Sequence, residues 1–189
     1  VTFAAGLAAG GMKPFCNIYS SFSQRAYDQI IHDVALQELP VVLCLDRGGL
    51  VGEDGPTHHG CYDMAVYRTI PGSVIAVPKD EKELKDMMYT AAASETGPFI
   101  IRYPRGYGEG VDWENASYET VQTGTGEKMC EGSGVAVIAA GPFAYRALEA
   151  ARSVEAETGW TPAIYNIRYI KPLDQEIMKE VVREYDRII

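Results

Sequence analysis

Short apolar runs alternate with longer segments of helical periodicity through most of this chain, and this alternation restricts the fold more than any other feature. The clearest run lies at residues 41–46, where five apolar residues end at an aspartate, as in a strand buried on both faces. Similar runs predict strands at residues 13–19, 73–77, 99–103, 134–140 and 162–168, with another beginning at 187. Repeated strand–helix–strand units favour parallel sheets with right-handed crossovers, so we predict the α/β fold class.

The segments between these strands predict helices, and one long interruption divides them into two groups. The helices are predicted at residues 21–39, 63–69, 80–93, 142–158 and 174–185. In the first, Ala26, Ile30, Val34 and Leu36 form an apolar stripe that should face inward. The alternation of strand and helix patterns stops between residues 106 and 132. This segment is rich in glycine and polar residues, as in a linker with room for a short hairpin. The pattern therefore predicts two parallel-sheet, three-layer α/β/α units.

The ends of the chain are also informative. The first ten residues already follow a small-residue helical pattern and lack an initial methionine, and the last residues stop where a buried strand would begin. We therefore expect a fragment of a longer protein, with the second unit incomplete.

Composition excludes several classes of function. Hydrophobic residues make up 47% and charged residues 23% of the 189, as in globular rather than disordered proteins. A net charge of −9 offers no basic surface for nucleic acid, and no apolar run reaches the roughly 18 residues of a membrane span. The four cysteines form no C-x-x-C pair and are expected to be reduced thiols of a cytoplasmic protein.

The segment D-R-G-G-L-V-G-E-D-G-P-T-H-H-G at residues 46–60 carries the strongest chemical signal. It follows the strand at 41–46, and ligands of parallel sheets bind beyond the carboxyl ends of the strands. Its five glycines allow close backbone approach to a ligand. Arg47 can clamp a phosphate, Asp54 can accept hydrogen bonds, and the imidazole of His58 can take up or release a proton. The alternative is a solvated turn whose polar residues merely cap helices.

Two further segments follow predicted strands. In Y-S-S-F-S-Q-R at residues 19–25, Phe22 can stack on a flat heterocycle, and Arg25 at a helix start favours an anion. The alternative is that Phe22 packs on the helix start while Arg25 pairs with Asp28 or Asp33 on the surface. The segment R-Y-P-R-G at residues 102–106 becomes interesting only if its arginines converge with Arg47.

Together, in this order, the three segments resemble the transketolase-like, thiamine-diphosphate-dependent enzymes. The D-G-P-T-H core is similar to that of transketolases, whereas the D-R-x-G before it and the R-Y-P-R-G after it resemble the 1-deoxy-D-xylulose-5-phosphate synthase family. The resemblance spans essentially the whole chain. It implies a pyrimidine-binding domain at residues 1–122 and the first part of a transketolase C-terminal domain at residues 123–189.

The resemblance also implies roles for individual residues. Phe22 would stack on the aminopyrimidine of thiamine diphosphate. Asp54 and His58 would face the substrates, with His58 transferring a proton or holding an oxygen atom. The residues that would bind the phosphate of glyceraldehyde 3-phosphate are Tyr19, Arg25, Arg47 and Arg105. The implied reaction condenses pyruvate with glyceraldehyde 3-phosphate, with loss of CO2, on the route to isoprenoid precursors.

Two parts of the family pattern are missing from the chain. The family's activating glutamate would precede Val1, and the G-D-G of its diphosphate and metal site does not occur, so we assign no metal ligand. We therefore expect the chain to be inactive alone and to need other segments to bind thiamine diphosphate and Mg²⁺, in a homodimer. The alternatives are a transketolase, the β subunit of a 2-oxoacid dehydrogenase, or a non-catalytic protein of the same fold.

Overall fold

The computed structural model describes all residues from Val1 to Ile189. Its nine strands are β1 (Phe15–Tyr19), β2 (Val42–Asp46), β3 (Val74–Ala76), β4 (Phe99–Arg102), β5 (Glu127–Cys130), β6 (Val135–Ala139), β7 (Ala163–Asn166), β8 (Tyr169–Lys171) and β9 (Arg187–Ile188). Its seven α-helices are α1 (Thr2–Ala9), α2 (Ser20–Ser23), α3 (Tyr27–Gln29), α4 (Asp63–Arg68), α5 (Glu81–Ala93), α6 (Phe143–Thr158) and α7 (Gln175–Glu184). No helix combines the length and apolar character needed to cross a membrane.

The first sheet has the strand order β1-β2-β4-β3-β8, and its first four strands are parallel. Alternate residues of β2 point to opposite faces: Leu43 and Leu45 pack with α1 and α4, whereas Val42 and Cys44 pack with α5. Both faces are covered by helices, because β2 is apolar at each of these positions. The predicted α/β class and the three-layer arrangement of the first unit are confirmed.

The second sheet has the order β5-β7-β6-β9, with β6 parallel to β7 and β9. Each sheet also has one antiparallel edge strand, which the prediction of parallel sheets did not include. These strands are β5 in the second sheet and β8 in the first. The chain reaches β8 through Arg168, whose φ is 51° and whose carbonyl accepts a hydrogen bond from the backbone of Val77. The second half of the chain therefore completes the first sheet, and the domain boundary near residue 122 stays a prediction.

The long helix predicted at residues 21–39 is interrupted. After α2 come a 3₁₀ turn (Gln24–Ala26), α3, and a π-helical segment (Ile30–Ala35). Ile30 and Val34 are buried as predicted, but Leu36 is exposed and Ala35 is buried in its place. The wider π-helical turn accounts for this shift, because its hydrogen bonds join residues five apart rather than four.

The predicted linker is ordered for a reason that the sequence did not reveal. It runs along α5, whose side chains bind its backbone in sequence order: Glu81 accepts from Glu109 and Gly110, Lys85 donates to Trp113 and Ala116, Asp86 accepts from Glu119, and Thr90 accepts from Val121. We call residues 109–121 the strap. After a further five residues the chain enters β5, which is the only part of the predicted hairpin that forms.

A charged network joins the two units. Arg168, between β7 and β8, lies 2.6 Å from Glu83 of α5 and 2.8 Å from Glu127 of β5. Lys79 contacts the same two carboxylates, and Tyr145 of α6 donates a hydrogen bond to Asp80 at 2.8 Å. These contacts fix the second unit against the amino-terminal end of α5. The four cysteines form no disulfide.

Candidate active site

The carboxyl ends of three parallel strands bring the three sequence segments to one edge of the first sheet. The register pairs Tyr19 at the end of β1 with Asp46 at the end of β2, and Leu45 of β2 with Arg102 at the end of β4. The loops after these strands carry the predicted site residues, and they meet above this edge.

An aromatic group forms on one side of the site. The rings of Tyr19 and Phe22 are stacked with centroids 5.4 Å apart, and His58 meets Phe22 edge-on at 5.1 Å. Phe22 nevertheless keeps 45% of its surface exposed. A partly exposed aromatic ring at the carboxyl edge of a parallel sheet can stack on a flat heterocycle.

Two guanidinium groups from separate loops converge beside the aromatic group. Arg47 lies over the Tyr19 ring, with Cζ 3.9 Å from the centroid, and its Nε donates to Asp54 Oδ2 at 3.1 Å. The Nε atom of Arg105 lies 3.1 Å from the same oxygen, and its Nη2 donates to Glu53 at 2.9 Å. Glu53 is 80% exposed, so that pair is weak and open to exchange. An incoming phosphate can therefore take the place of Glu53 as the acceptor for Arg105.

The electrostatics of the loop keep Arg47 charged and fixed. Desolvation lowers the pKa of the Arg47 guanidinium, but the hydrogen bond to Asp54 and the charge of Asp46 outweigh it, so the pKa is raised above its ordinary value. Its backbone has a φ of 60°, in the region that favours glycine, and its N–H donates to the Asp46 carboxylate at 2.6 Å. Such a strained conformation persists only where the surroundings impose it, and it is common at functional sites.

A buried polar group that sequence reasoning missed supports this loop from below. Asp63 is buried and accepts hydrogen bonds from Ser20 at 2.8 Å and from Arg102 at 2.9 Å. Above it, the backbones of Gly49 and Gly60 exchange two hydrogen bonds of 2.8 Å. A β-carbon at Gly60 would lie 2.4 Å from the Ser20 hydroxyl. The Arg102 side chain is therefore used to bind Asp63 beneath the loop. Of the two arginines in its segment, only Arg105 converges with Arg47.

The two adjacent histidines of the loop make different contacts, and Arg25 lies apart from both. Nδ1 of His58 lies 2.9 Å from the Thr57 hydroxyl, whereas Nδ1 of His59 accepts a hydrogen bond from the Val51 backbone at 3.2 Å and so stabilises the loop. Arg25 is exposed, and no contact joins it to the cluster.

The surface pairing considered for Arg25 is not formed either. Asp28 pairs with His32, and Asp33 accepts a hydrogen bond from Thr2. The role of Arg25 therefore stays a prediction.

Comparison with known proteins shows which proteins this chain resembles. Residues 1–109 match the family described as transketolase, pyrimidine binding domain, and residues 124–189 match the transketolase C-terminal domain. Proteins named 1-deoxy-D-xylulose-5-phosphate synthase from Bacteroides thetaiotaomicron and Oleidesulfovibrio alaskensis are 54% and 52% identical over 189 residues, all of this chain. The chain spans 29% of the length of each.

Solved structures agree on the fold. A split-gene transketolase described as an inactive β4 tetramer superposes with a TM-score of 0.84 and 29% identity, covering 98% of this chain and 59% of its own. A transketolase from Pichia stipitis has a TM-score of 0.71 at 21% identity, covering 88% of this chain and 25% of its own, and shows the fold alone. Since the pyrimidine-binding description covers more than half of the residues, including every residue of the site above, the chain belongs to the transketolase family.

Proposed function

We propose that this chain forms the pyrimidine-binding part and the first C-terminal part of a 1-deoxy-D-xylulose-5-phosphate synthase, a transferase that condenses pyruvate with glyceraldehyde 3-phosphate and releases CO2. The observation that carries the proposal is the convergence of Arg47 and Arg105 on Asp54, beside the exposed ring of Phe22. Relatives of that name, more than 50% identical over the whole chain, support it.

The site residues fit the pyrimidine half of thiamine diphosphate. Phe22 presents a partly exposed ring to the carboxyl edge of the sheet, where it would stack on the aminopyrimidine. When bound, this cofactor supplies the carbanion that joins the two substrates. The chain has no group of three histidine, cysteine or acidic side chains able to hold a metal ion. The family resemblance implies that the Mg²⁺ accompanying the diphosphate would bind to residues outside this chain.

The arginines would bind the phosphate of the aldehyde substrate. Arg47 uses Nε and Nη1 for Asp54 and Asp46, which leaves Nη2 for a ligand. Arg105 exchanges the exposed Glu53 for the phosphate, and forked guanidinium groups suit this geometry better than a lysine would. The Tyr19 hydroxyl would complete the phosphate site. Arg25, which is exposed in the 3₁₀ turn after α2, would join it only by moving towards the cluster.

Asp54 and His58 would act on the reacting carbons. Asp54 orients both arginines through one oxygen, which leaves Oδ1 available to a substrate hydroxyl. His58 is held through Nδ1 by Thr57, so Nε2 is the nitrogen that would transfer a proton or hold the aldehyde oxygen.

We further propose that the working enzyme is a cytoplasmic homodimer and that this chain is inactive alone. The outward face of α1 is apolar, with Phe3 80% exposed, and Met12 and Leu36 are exposed as well. An apolar helix that buries only one face favours a partner on the other. A second copy of the chain is the partner proposed here.

The experiment uses a chimeric synthase in which this chain replaces the aligned 189 residues of the Bacteroides thetaiotaomicron protein. The chimera should release CO2 from pyruvate only when glyceraldehyde 3-phosphate is added, and should form 1-deoxy-D-xylulose 5-phosphate. The matched control carries Arg105→Ala. A folded chimera that binds thiamine diphosphate but yields no product would refute the proposal.

A transketolase is the second candidate, because the split-gene transketolase superposes over nearly the whole chain. The chimera distinguishes the two when it is offered a ketose phosphate donor in place of pyruvate. Transfer of a two-carbon unit from that donor, without CO2 release, would favour transketolase.

A further inference from the structure

The loop after β4 carries Arg105, and one side chain of α5 fastens its far end. Glu81, in the first turn of α5, accepts hydrogen bonds from the backbone N–H groups of Glu109 at 3.2 Å and Gly110 at 2.9 Å. The backbone hydrogen bonds that the Glu81 carboxylate accepts, above all the one from Gly110, lower the pKa of this group. It is therefore ionised at neutral pH.

The near end of the same loop is held by the sheet. The Tyr103 N–H donates to Leu45 at 3.1 Å, and the Tyr103 carbonyl accepts from Gly48 at 2.9 Å. Only residues 104–108 span the distance between this anchor and Glu81. The backbone around Arg105 therefore depends on two anchors, of which one is a single carboxylate, while the Glu109 side chain also pairs with Arg146 of α6 at 3.1 Å.

Gly108 shows how closely the loop rests on that carboxylate. A β-carbon at Gly108 would lie 1.8 Å from Oε1 and 2.2 Å from Cδ of Glu81, and the three nearest atoms all belong to the Glu81 side chain. Because φ at Gly108 lies outside the left-handed region, an alanine could adopt this backbone. Glu81 itself is thus the nearest obstacle to a larger residue at this position.

We infer that Glu81 is a positioning residue for Arg105: it fixes the backbone of residues 108–110 and so holds the Arg105 guanidinium beside Asp54, ready for a phosphorylated substrate. The identity of that substrate rests on the proposed function, whereas the anchoring of the loop does not. Glu81 acts through the loop and touches no substrate.

Amide hydrogen exchange of the 189-residue chain tests the anchoring. Glu81→Gln keeps the size of the side chain but leaves one acceptor for two N–H groups. The amides of Glu109 and Gly110 should exchange about tenfold faster in this variant. Thr90→Val is the matched control, because it removes a bond of the same strap at Val121, and it should leave those two amides unchanged. Unaltered exchange at Glu109 and Gly110 in Glu81→Gln would overturn the inference.

Kinetics of the chimeric synthase test the consequence. Glu81→Gln should raise KM for glyceraldehyde 3-phosphate roughly tenfold while KM for pyruvate and for unphosphorylated glyceraldehyde stays unchanged, since a small misplacement of one binding group has effects of this order. An equal rise for all three substrates, or no rise, would contradict positioning. A chimera that is inactive even without the substitution would refute the proposed function and leave the exchange result to decide the anchoring.

A second substitution guards against a general loss of folding. Gly108→Ala should raise the same KM, because its methyl group collides with Glu81. In a Glu81→Ala background the obstacle is gone, so adding Gly108→Ala should change KM less than about twofold. Fully additive effects would show that the two positions act independently and would overturn the inference.

Discussion

Replacing Arg168 with methionine should destabilise the protein by removing the centre of the network between its two units. Arg168 contacts Glu83 and Glu127, and Glu83 has only 4% of its side chain exposed. After the substitution, Lys79 is the one remaining cation near three carboxylates, those of Asp80, Glu83 and Glu127. The buried charge of Glu83 then keeps only one of its two cationic partners, Lys79.

The expected loss follows from burial and from the contacts that remain. Removing one partner of a buried ion pair costs about 3–5 kcal/mol. Lys79 stays in contact with Glu83, and Glu127 is partly exposed, so we expect the lower end, about 3 kcal/mol in the free energy of unfolding. Methionine retains most of the apolar stem of arginine, so lost packing contributes little.

The loss in the free energy of unfolding caused by Arg168→Met should also depend on pH. Desolvation raises the pKa of Glu127, but hydrogen bonds from Lys79 and Asn166 and the charges of Lys79 and Arg168 outweigh it, so this pKa lies below its ordinary 4.5. A lowered carboxyl pKa contributes stability above the unfolded pKa, and that stability is lost as pH falls through the folded value. The charge of Arg168 is the smallest of these favourable influences, so only part of this contribution disappears when Arg168 is replaced. The difference between wild type and variant should therefore be largest at pH 7 and shrink below about pH 4.5.

Urea unfolding at several pH values measures both effects. Circular dichroism and the fluorescence of the two tryptophans should give coincident transitions if unfolding is two-state. Lys179→Met is the control, because its ion pair with Glu176 is exposed, and the substitution should change the free energy by less than about 0.5 kcal/mol. An Arg168→Met loss below about 1 kcal/mol at pH 7, or one that is the same at pH 4, would refute this reasoning.

Four further outcomes are expected. Gly60→Ala should destabilise the chain by about 1–3 kcal/mol in urea unfolding, because its methyl group has no space beneath the loop; unchanged stability would show that the loop yields there. Arg47→Ala and Arg105→Ala should each raise KM of the chimeric synthase for glyceraldehyde 3-phosphate far more than KM for pyruvate, and equal rises would count against a phosphate site. His58→Ala should lower kcat/KM by roughly 10²–10⁴ if this side chain transfers a proton, whereas near-normal turnover would remove that role. Phe3→Asp should shift the chain to monomer in light scattering, because it places a charge on the proposed self-association face; an unchanged mass would locate that interface elsewhere.

The sequence predicted the elements whose signal is local. The apolar run of β2 was interpreted as a strand buried on both faces, and both faces are indeed covered by helices. The α5 helix begins where Asp80 accepts a hydrogen bond from the Glu83 N–H, an arrangement that acidic residues at a helix start predict. Both conclusions depend on residues within about one helical turn or one strand of each other.

Contacts between residues distant in sequence were missed. Nothing near Asp63 marks it as the buried acceptor for both Ser20 and Arg102, because the three residues are 39 or more positions apart. The strap was interpreted as a linker because its own sequence has no period; its order comes from side chains of α5 about 30 residues earlier.

The sequence by itself determined the α/β class, the alternation of the parallel strands with helices and the residue types that stand at the strand ends. Only the tertiary structure decided that Arg105 joins Arg47 at Asp54, that Arg102 belongs to the scaffold, and that Arg25 stands apart. The physical reason is that strand propensity and burial act along neighbouring residues. The direction in which a loop presents its side chain depends instead on the sheet register beneath it and on the distant groups that fasten it.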